Sequence, residues 1–144
     1  MGMYDVFKTD EVAEREGIII DYTSFRVTIA RAGGANKKYK RMLDQATKPH
    51  ERLIQLGSFS NEQAEDLLKA VYAKSVIKDW ETKVDDKWLV GLENPDGGEL
   101  LPVTVANILT VFELLPDLYI DLRDQAQKSA LYRVALREEA EGNL

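Results

Sequence analysis

The chain has 144 residues, of which 44% are hydrophobic and 31% charged, and it carries a formal net charge of −6 at pH 7. This length and composition are typical of one globular domain. The absence of cysteine excludes disulfides, thiolate zinc sites and cysteine nucleophiles. No apolar run approaches the ~20 residues that span a bilayer, and residues 1–16 lack a signal peptide's apolar region, so we expect a cytoplasmic protein.

Charge is distributed unevenly along the chain. Residues 26–52, here called the basic stretch, hold eight basic side chains against Asp44 and Glu51, a net charge of +6, so the remainder of the chain carries −12. Such a two-signed molecule can attract an acidic partner or associate head to tail with itself. The basic residues are Arg26, Arg31, Lys37, Lys38, Lys40, Arg41, Lys48 and Arg52.

The first predicted elements are an arm and a hairpin. Residues 1–16 are polar and charged, with Tyr4, Val6 and Phe7 as the main apolar anchors, and are expected to form a loosely docked N-terminal arm. Residues 18–31 combine a β-branched run with strict alternation of apolar and polar side chains, which predicts an antiparallel β-hairpin.

Helices are predicted for the basic stretch after the glycine pair at residues 33–34. Asn36 is a suitable N-cap for a helix over residues 37–47. A proline favours a second short helix over residues 49–56, and Gly57 ends it.

The strongest helical signal follows Ser60. Gln63 lies three residues on, as in a capping box, and apolar side chains then recur at helical spacing to about Trp80. Residues 82–92 alternate loosely around a turn and predict a second small hairpin, and residues 94–98 form a turn cluster.

Two helices are predicted for the last third of the chain. Thr104 opens the first, and Pro116 ends it, because a residue before proline disfavours the helical region. Asp117 is expected to cap a long final helix that reaches about Ala140, and residues 138–144 are expected to fray. These patterns predict a single α+β domain over residues 1–144, mostly helical, with an N-terminal antiparallel hairpin and a second small hairpin.

No residue pattern indicates catalysis. His50, the single histidine, lies among Lys48, Glu51 and Arg52, and the chain has no nucleophile motif such as G-x-S-x-G, so His50 is expected to be an ordinary surface side chain. Asp85, Asp86, Glu93 and Asp96 lack the spacing of a calcium loop and are expected to be solvated turn residues. We therefore expect a protein that is not an enzyme and has no metal or cofactor.

Anion binding is the weaker interpretation of two further features. Residues 33–34 lead into a helix that begins with Lys37 and Lys38, but neither phosphate-binding glycine pattern is present, so a tight turn is favoured. Tyr39 lies between basic residues, a weak likeness to a nucleic-acid patch, and a solvated face is favoured. No nucleic-acid or membrane partner is expected.

Two sets of residues are candidates for protein binding. The basic stretch, with Arg26, Arg31, Lys37, Lys38, Lys40 and Arg41, fits acidic segments of a partner or of a neighbouring copy. The helical stripe near Leu67, Val71, Phe112 and Leu122 would form a groove for a partner's amphipathic helix if it were left open. Tyr72, Trp80, Trp88 and Phe112 are expected in the core.

Several stretches together resemble a family of small tailed-bacteriophage proteins, the tail assembly chaperones. The similarity spans nearly the whole chain and is carried by Phe7-Lys8-Thr9-Asp10, Glu16-Gly17, Asp21-Tyr22, Ala30-Arg31-Ala32-Gly33-Gly34-Ala35-Asn36, Thr47-Lys48-Pro49, Val71-Tyr72-Ala73, Trp80-Glu81-Thr82-Lys83, Leu114-Leu115-Pro116-Asp117-Leu118 and Gln125-Ala126-Gln127-Lys128.

The resemblance implies a protein of the infected bacterial cytoplasm that is absent from the finished virion. Its partner would be the phage tape-measure protein, kept soluble until the tail tube polymerises around it. Such chaperones are often made in two lengths by a ribosomal frameshift, and the extension recruits the tail-tube protein; this chain would be the shorter form. The alternatives are a virion component in tail completion or head–tail joining, and a small cytoplasmic module that binds a host protein.

Overall fold

The computed structural model describes residues 2–134 and 136, which form one α+β domain around a four-stranded antiparallel sheet. The strands are β1 (Ile18–Asp21), β2 (Phe25–Ile29), β3 (Ile77–Val84) and β4 (Lys87–Val90). The helices are α1 (Met3–Phe7), α2 (Glu11–Glu16), α3 (Lys37–Thr47), α4 (Glu51–Gln55), α5 (Asn61–Ser75), α6 (Val105–Leu114) and α7 (Pro116–Gln127). Short 3-10 turns lie at Lys48–His50 and Ser129–Tyr132.

The sheet joins the two predicted hairpins side by side, in the order β1-β2-β3-β4. Both hairpins are confirmed, and Asp85 and Asp86 make the second turn with positive φ of 51° and 61°, the backbone twist that two-residue hairpins favour. The pairing of β2 with β3 was not predicted, because α3, α4 and α5 separate these strands in sequence. A bulge between Thr28 and Ile29 interrupts that pairing opposite Lys78.

One face of the sheet forms the core with the helices, and the other lies open to solvent. Paired residues share a face, so Val27 and Trp80 are buried together, while Arg26 and Glu81 lie on the outer face. Along β4 the outer face includes Val90, which is 67% exposed. The largest fully buried side chains include Tyr72, Tyr119, Tyr132, Phe112, Ile29, Leu92 and Leu122.

The helix α5 ends at Ser75, so its predicted extension to Trp80 is wrong. Val76 and Ile77 are β-branched, and residues from Ile77 onward pair with β2 instead. This pairing places Trp80 opposite Val27, where its side chain is only 3% exposed. Tertiary pairing therefore overrides a helical spacing that continued through this segment in sequence.

The helix α7 ends at Gln127, so the predicted long helix to Ala140 is also wrong. Lys128 leaves the helical region with ψ of 97°, and the following 3-10 turn carries Tyr132 into the core. Residues 135 and 137–144, including the predicted frayed end, lie outside the described residues.

The N-terminal segment is docked more closely than the loose arm that the sequence predicted. The backbone N–H of Asp10 donates to the carbonyl of Tyr132 at 2.7 Å, and that of Val134 donates to the carbonyl of Lys8 at 2.8 Å. Residues Ala13 and Glu14 of α2 are buried. Two of the three expected anchors in α1 are exposed instead, Tyr4 by 75% and Phe7 by 63%, while Val6 is half-buried.

Helix caps follow the sequence signals with two exceptions. Ser60 and Gln63 form the predicted reciprocal capping box, and the Thr104 hydroxyl accepts from the Asn107 backbone at 3.2 Å. Asn36 occupies the N-cap position of α3, but its side-chain amide donates to the backbone carbonyls of residues 31 and 75 instead of capping. Asp117 lies in the first turn of α7 after Pro116, whereas the N-cap position is residue 115.

None of the helices in the described part of the chain has the length and apolar character of a membrane span.

Candidate protein-binding surfaces

Two arginines of the basic stretch are already paired within the fold. The Arg26 Nε donates to Glu81 Oε1 at 3.0 Å, and its guanidinium lies 4.3 Å from the centre of the Trp88 ring on the outer sheet face. The Arg31 Nη1 lies 2.6 Å from Oε2 of Glu14, whose side chain is only 3% exposed. Both side chains therefore stabilise the domain and are not open for an acidic partner.

Four cations of the basic stretch remain exposed on α3. Lys37, Lys38, Lys40 and Arg41 point away from α5, while half-buried Tyr39, Met42 and Leu43 line the opposite side of the helix. No carboxylate oxygen among residues 2–134 and 136 lies within 4.0 Å of the charged nitrogens of these four cations. Their charge is therefore not neutralised by ion pairs within the described fold.

A fifth cation adjoins them from the bulge in β3. Partial burial and the nearby charge of Lys38 lower the pKa of Lys78. Lowering by a like charge indicates that positive charge is concentrated here. We call Lys37, Lys38, Lys40, Arg41 and Lys78 the basic face.

The predicted apolar groove is mostly core. Val71, Phe112 and Leu122 are each at most 2% exposed, and Leu67 is half-buried. The condition for an open groove is therefore not met at three of the four residues, because their side chains are buried within the fold. Among the aromatic residues, Tyr72, Trp80 and Phe112 are in the core as predicted, whereas Trp88 is half-buried on the outer sheet face.

An exposed apolar surface lies on α4, where the sequence analysis proposed none. Leu53, Ile54 and Leu56 are 42%, 44% and 68% exposed, and every residue from 51 to 58 is exposed. Three large apolar residues within four positions of a short helix bounded by turn residues were the available signal. We call Leu53, Ile54 and Leu56 the α4 knob.

An apolar cleft of about 400 Å³ opens between the first hairpin turn, the loop after β4 and the junction of α6 with α7. Its floor includes Phe25 and Trp80, whose rings stack with centroids 5.9 Å apart. Leu114 and Leu115, 58% and 54% exposed, form its rim together with Leu118. We call this site the α6–α7 cleft, and sequence spacing gave no sign of it because its walls come from four separate segments.

The remaining polar candidates contribute no assembled site in the described residues. His50 packs its ring against Phe59, with centroids 5.1 Å apart. Asp85 and Asp86 form the β3–β4 turn. Within residues 2–134 and 136, no cluster of three or more histidine, aspartate or glutamate side chains is arranged to hold a metal ion.

Comparison with known families places the chain among bacteriophage-derived proteins. The family model described as YdaY prophage protein matches residues 34–143, which is most of the chain. The chain belongs to the YdaY prophage protein family. Membership of the YdaY family supports the phage origin that the sequence resemblance implied. No curated protein and no solved structure matches the chain.

The YdaY match covers most residues of these surfaces. It begins at residue 34, ahead of α3, and includes the basic face, the α4 knob and all of the α6–α7 cleft except its lining residues Ser24 and Phe25. Arg26 and the first hairpin lie before the matched residues. Most residues of the surfaces described above therefore lie within the part of the chain that the family model matches.

Proposed function

We propose that this protein is a non-enzymatic tail assembly chaperone that binds the phage tape-measure protein in the host cytoplasm and keeps it soluble. The resemblance of the sequence to tail assembly chaperones suggests this role, and membership of a prophage family supports the phage origin that the role requires. The observation that carries the binding mode is the basic face, whose cations form no ion pair with the described residues, on a protein whose net charge is −6.

The basic face suits acidic segments of a long partner. Exposed complementary charges raise the rate of encounter and orient the partner, and they add only modest affinity at each contact. Binding of this kind is reversible, which suits a chaperone that must leave when the tail tube forms. It also weakens with added salt, because exposed charges are screened over about 8 Å at physiological ionic strength.

The test is co-expression with the tape-measure protein encoded in the same phage genome, followed by affinity capture and light scattering. We expect a soluble complex with several copies of this protein on each tape-measure chain, where the tape-measure protein alone precipitates. The test variant carries Lys37→Glu, Lys38→Glu, Lys40→Glu and Arg41→Glu together, and should lose most of the captured partner.

The matched control reverses four exposed cations outside the basic face: Lys8→Glu, Lys83→Glu, Lys87→Glu and Lys128→Glu. It changes the net charge by the same amount and should retain the partner. Equal capture by both variants, with circular dichroism showing intact folds, would remove the basic face from the mechanism. Failure of the unmodified protein to bind, together with its detection in purified virions, would replace the chaperone with a structural role. Failure to bind and absence from virions would favour a module that binds a host protein.

A further inference from the structure

We propose that copies of this protein associate head to tail, with the α4 knob of one copy docked in the α6–α7 cleft of the next. This inference concerns contacts between copies and does not depend on the identity of the proposed partner. It rests on an exposed apolar surface and an apolar cleft of opposite charge, which lie on different parts of one chain.

The α4 knob is exposed without contributing to the core. Its three side chains are absent from the core cluster, and α4 packs mainly against the 3-10 turn that precedes it. Contiguous exposed apolar groups of this kind mark interaction sites more often than isolated ones do. Pro49 lies in the 3-10 turn before this short helix, and Gly57 follows the helix with a positive φ.

The α6–α7 cleft is a concave apolar surface of a size that accepts side chains from a partner. Its volume of about 400 Å³ falls within the range of specific binding pockets. The stacked rings of Phe25 and Trp80 make its floor, and Leu114 and Leu115 leave its rim apolar. An inserted leucine or isoleucine would bury apolar surface on both copies.

Charge makes a second copy the suitable occupant. The α4 knob ends the segment of residues 37–56, in which six exposed cations outnumber the exposed Asp44 and Glu51. Glu93 lines the α6–α7 cleft and exposed Asp117 flanks its rim, with Lys83 as the opposing charge. Glu113, also beside the rim, is paired with Lys69 at 3.4 Å. The knob side is therefore net positive and the cleft side net negative, which favours docking of one on the other.

The two surfaces share no residue, so one copy can use both at once. The α3 helix and the α6 helix each pack against α5, and no residue that forms the knob lines the cleft. A contact between two different surfaces is heterologous, and it produces an open chain of copies, or a ring if the rotation closes.

Sedimentation velocity over a concentration series, from about 1 µM to about 1 mM, tests the proposal. For the unmodified protein, the mass-average sedimentation coefficient should rise with concentration beyond that of a dimer. Leu56→Asp in the knob and Leu115→Asp in the cleft should each weaken association by about tenfold or more. Aspartate suits position 115 because that residue is the N-cap of α7.

Met3→Asp is the matched control, because Met3 and Leu56 are both 68% exposed and Met3 begins α1, where an acidic residue is favourable. It should associate as the unmodified protein does. An equimolar mixture of Leu56→Asp and Leu115→Asp gives the decisive readout. The first retains an intact cleft and the second an intact knob, so the mixture should form dimers that do not extend.

Three results would overturn the proposal. One is an unmodified protein that stays monomeric across the series. Another is a pair of variants that associate as strongly as the Met3→Asp control. The third is a mixture in which both variants stay monomeric although circular dichroism shows each to be folded.

Discussion

Glu14 is a carboxylate held almost without solvent contact, and it connects three segments of the chain. Its Oε1 accepts from the Thr9 hydroxyl at 2.9 Å, and its Oε2 lies 2.6 Å from Arg31 Nη1. Its backbone carbonyl accepts from the Arg31 backbone N–H at 2.9 Å. A buried charge is tolerated only when it is paired and hydrogen-bonded, and Glu14 meets both conditions.

Glu14→Gln should destabilise the protein, because it leaves the partly buried guanidinium of Arg31 without its counter-charge. Removing one partner of a buried ion pair lowers the free energy of unfolding, and we expect a loss of about 3 kcal/mol here. This is the low end of the usual range, because the Arg31 side chain retains some contact with solvent. The free energy of unfolding from urea titration measures the effect. Glu11→Gln is the control in the same helix, since its exposed pair with Arg15 at 3.9 Å is expected to contribute about 0.5 kcal/mol or less. Equal losses in the two variants would contradict a special role for Glu14.

The Glu14 carboxylate occupies the position that a side chain at residue 34 would need, and Gly34 has none. Its φ is +54°, and a Cβ built there would lie 1.8 Å from Glu14 Oε2. Gly57, with φ of +70°, has no heavy atom within 4 Å of its Cβ position. Gly57→Ala should therefore cost only the left-handed backbone, about 1 kcal/mol, whereas Gly34→Ala must also displace the carboxylate. Thermal unfolding that ranked the two variants equally would show that the carboxylate relocates freely.

At the scale of elements, the 3-10 turn after α7 connects the last described segment to the first. The Tyr132 hydroxyl donates to the carbonyl of Ile29 at 3.1 Å. The backbone carbonyl of Tyr132 accepts from the backbone N–H of Asp10. Thr9 and Arg133 form an isolated β-bridge beside it. The turn therefore holds the segment around α2 against the end of β2.

Tyr132→Phe removes one buried hydrogen bond while retaining the ring. We expect a loss of about 1 kcal/mol in the free energy of unfolding, with faster hydrogen exchange at the Asp10 amide if the turn loosens. Tyr4→Phe is the control, because Tyr4 is 75% exposed and should leave both quantities unchanged. Unaltered stability in Tyr132→Phe would mean that water satisfies the carbonyl of Ile29 equally well.

At the scale of the whole molecule, buried tyrosines couple folding to alkaline pH. Burial raises the pKa of Tyr72, Tyr119 and Tyr132, and burial together with the hydrogen bond to Asp121 raises that of Tyr22. The folded protein therefore holds these protons at a pH where the unfolded chain, with an ordinary pKa of about 10, releases them.

The contribution of these tyrosines to stability should be fully present below pH about 10 and be lost as the pH rises above it. Each tyrosine with a raised pKa adds at most about 1.4 kcal/mol per pH unit to the slope of the free energy of unfolding against pH. Urea titrations at a series of alkaline pH values measure the slope, and Tyr22→Phe should reduce it. A slope that does not change in Tyr22→Phe would exclude Tyr22 from the coupling.

How far the sequence predicts this molecule depends on the range of the interaction involved. Local signals were sufficient for the Ser60 capping box, the Asp85–Asp86 turn and both hairpins, because each depends on neighbours within a few residues. The basic residues of α3 were also correctly expected to be exposed, since an amphipathic helix separates its polar and apolar sides.

Long-range pairing decided what those local patterns left open. Only the join of β2 to β3 ended α5 at Ser75 and brought Trp80 into the core, and only the core position of Tyr132 ended α7 at Gln127. The paired state of Arg26 and Arg31 likewise depends on Glu81 and Glu14 arriving from other segments. The sequence by itself thus determined composition, charge asymmetry and the local elements. The tertiary structure alone determined which cations stay unpaired, which apolar stripe is buried and where the cleft opens, because each depends on side chains that only folding brings into contact.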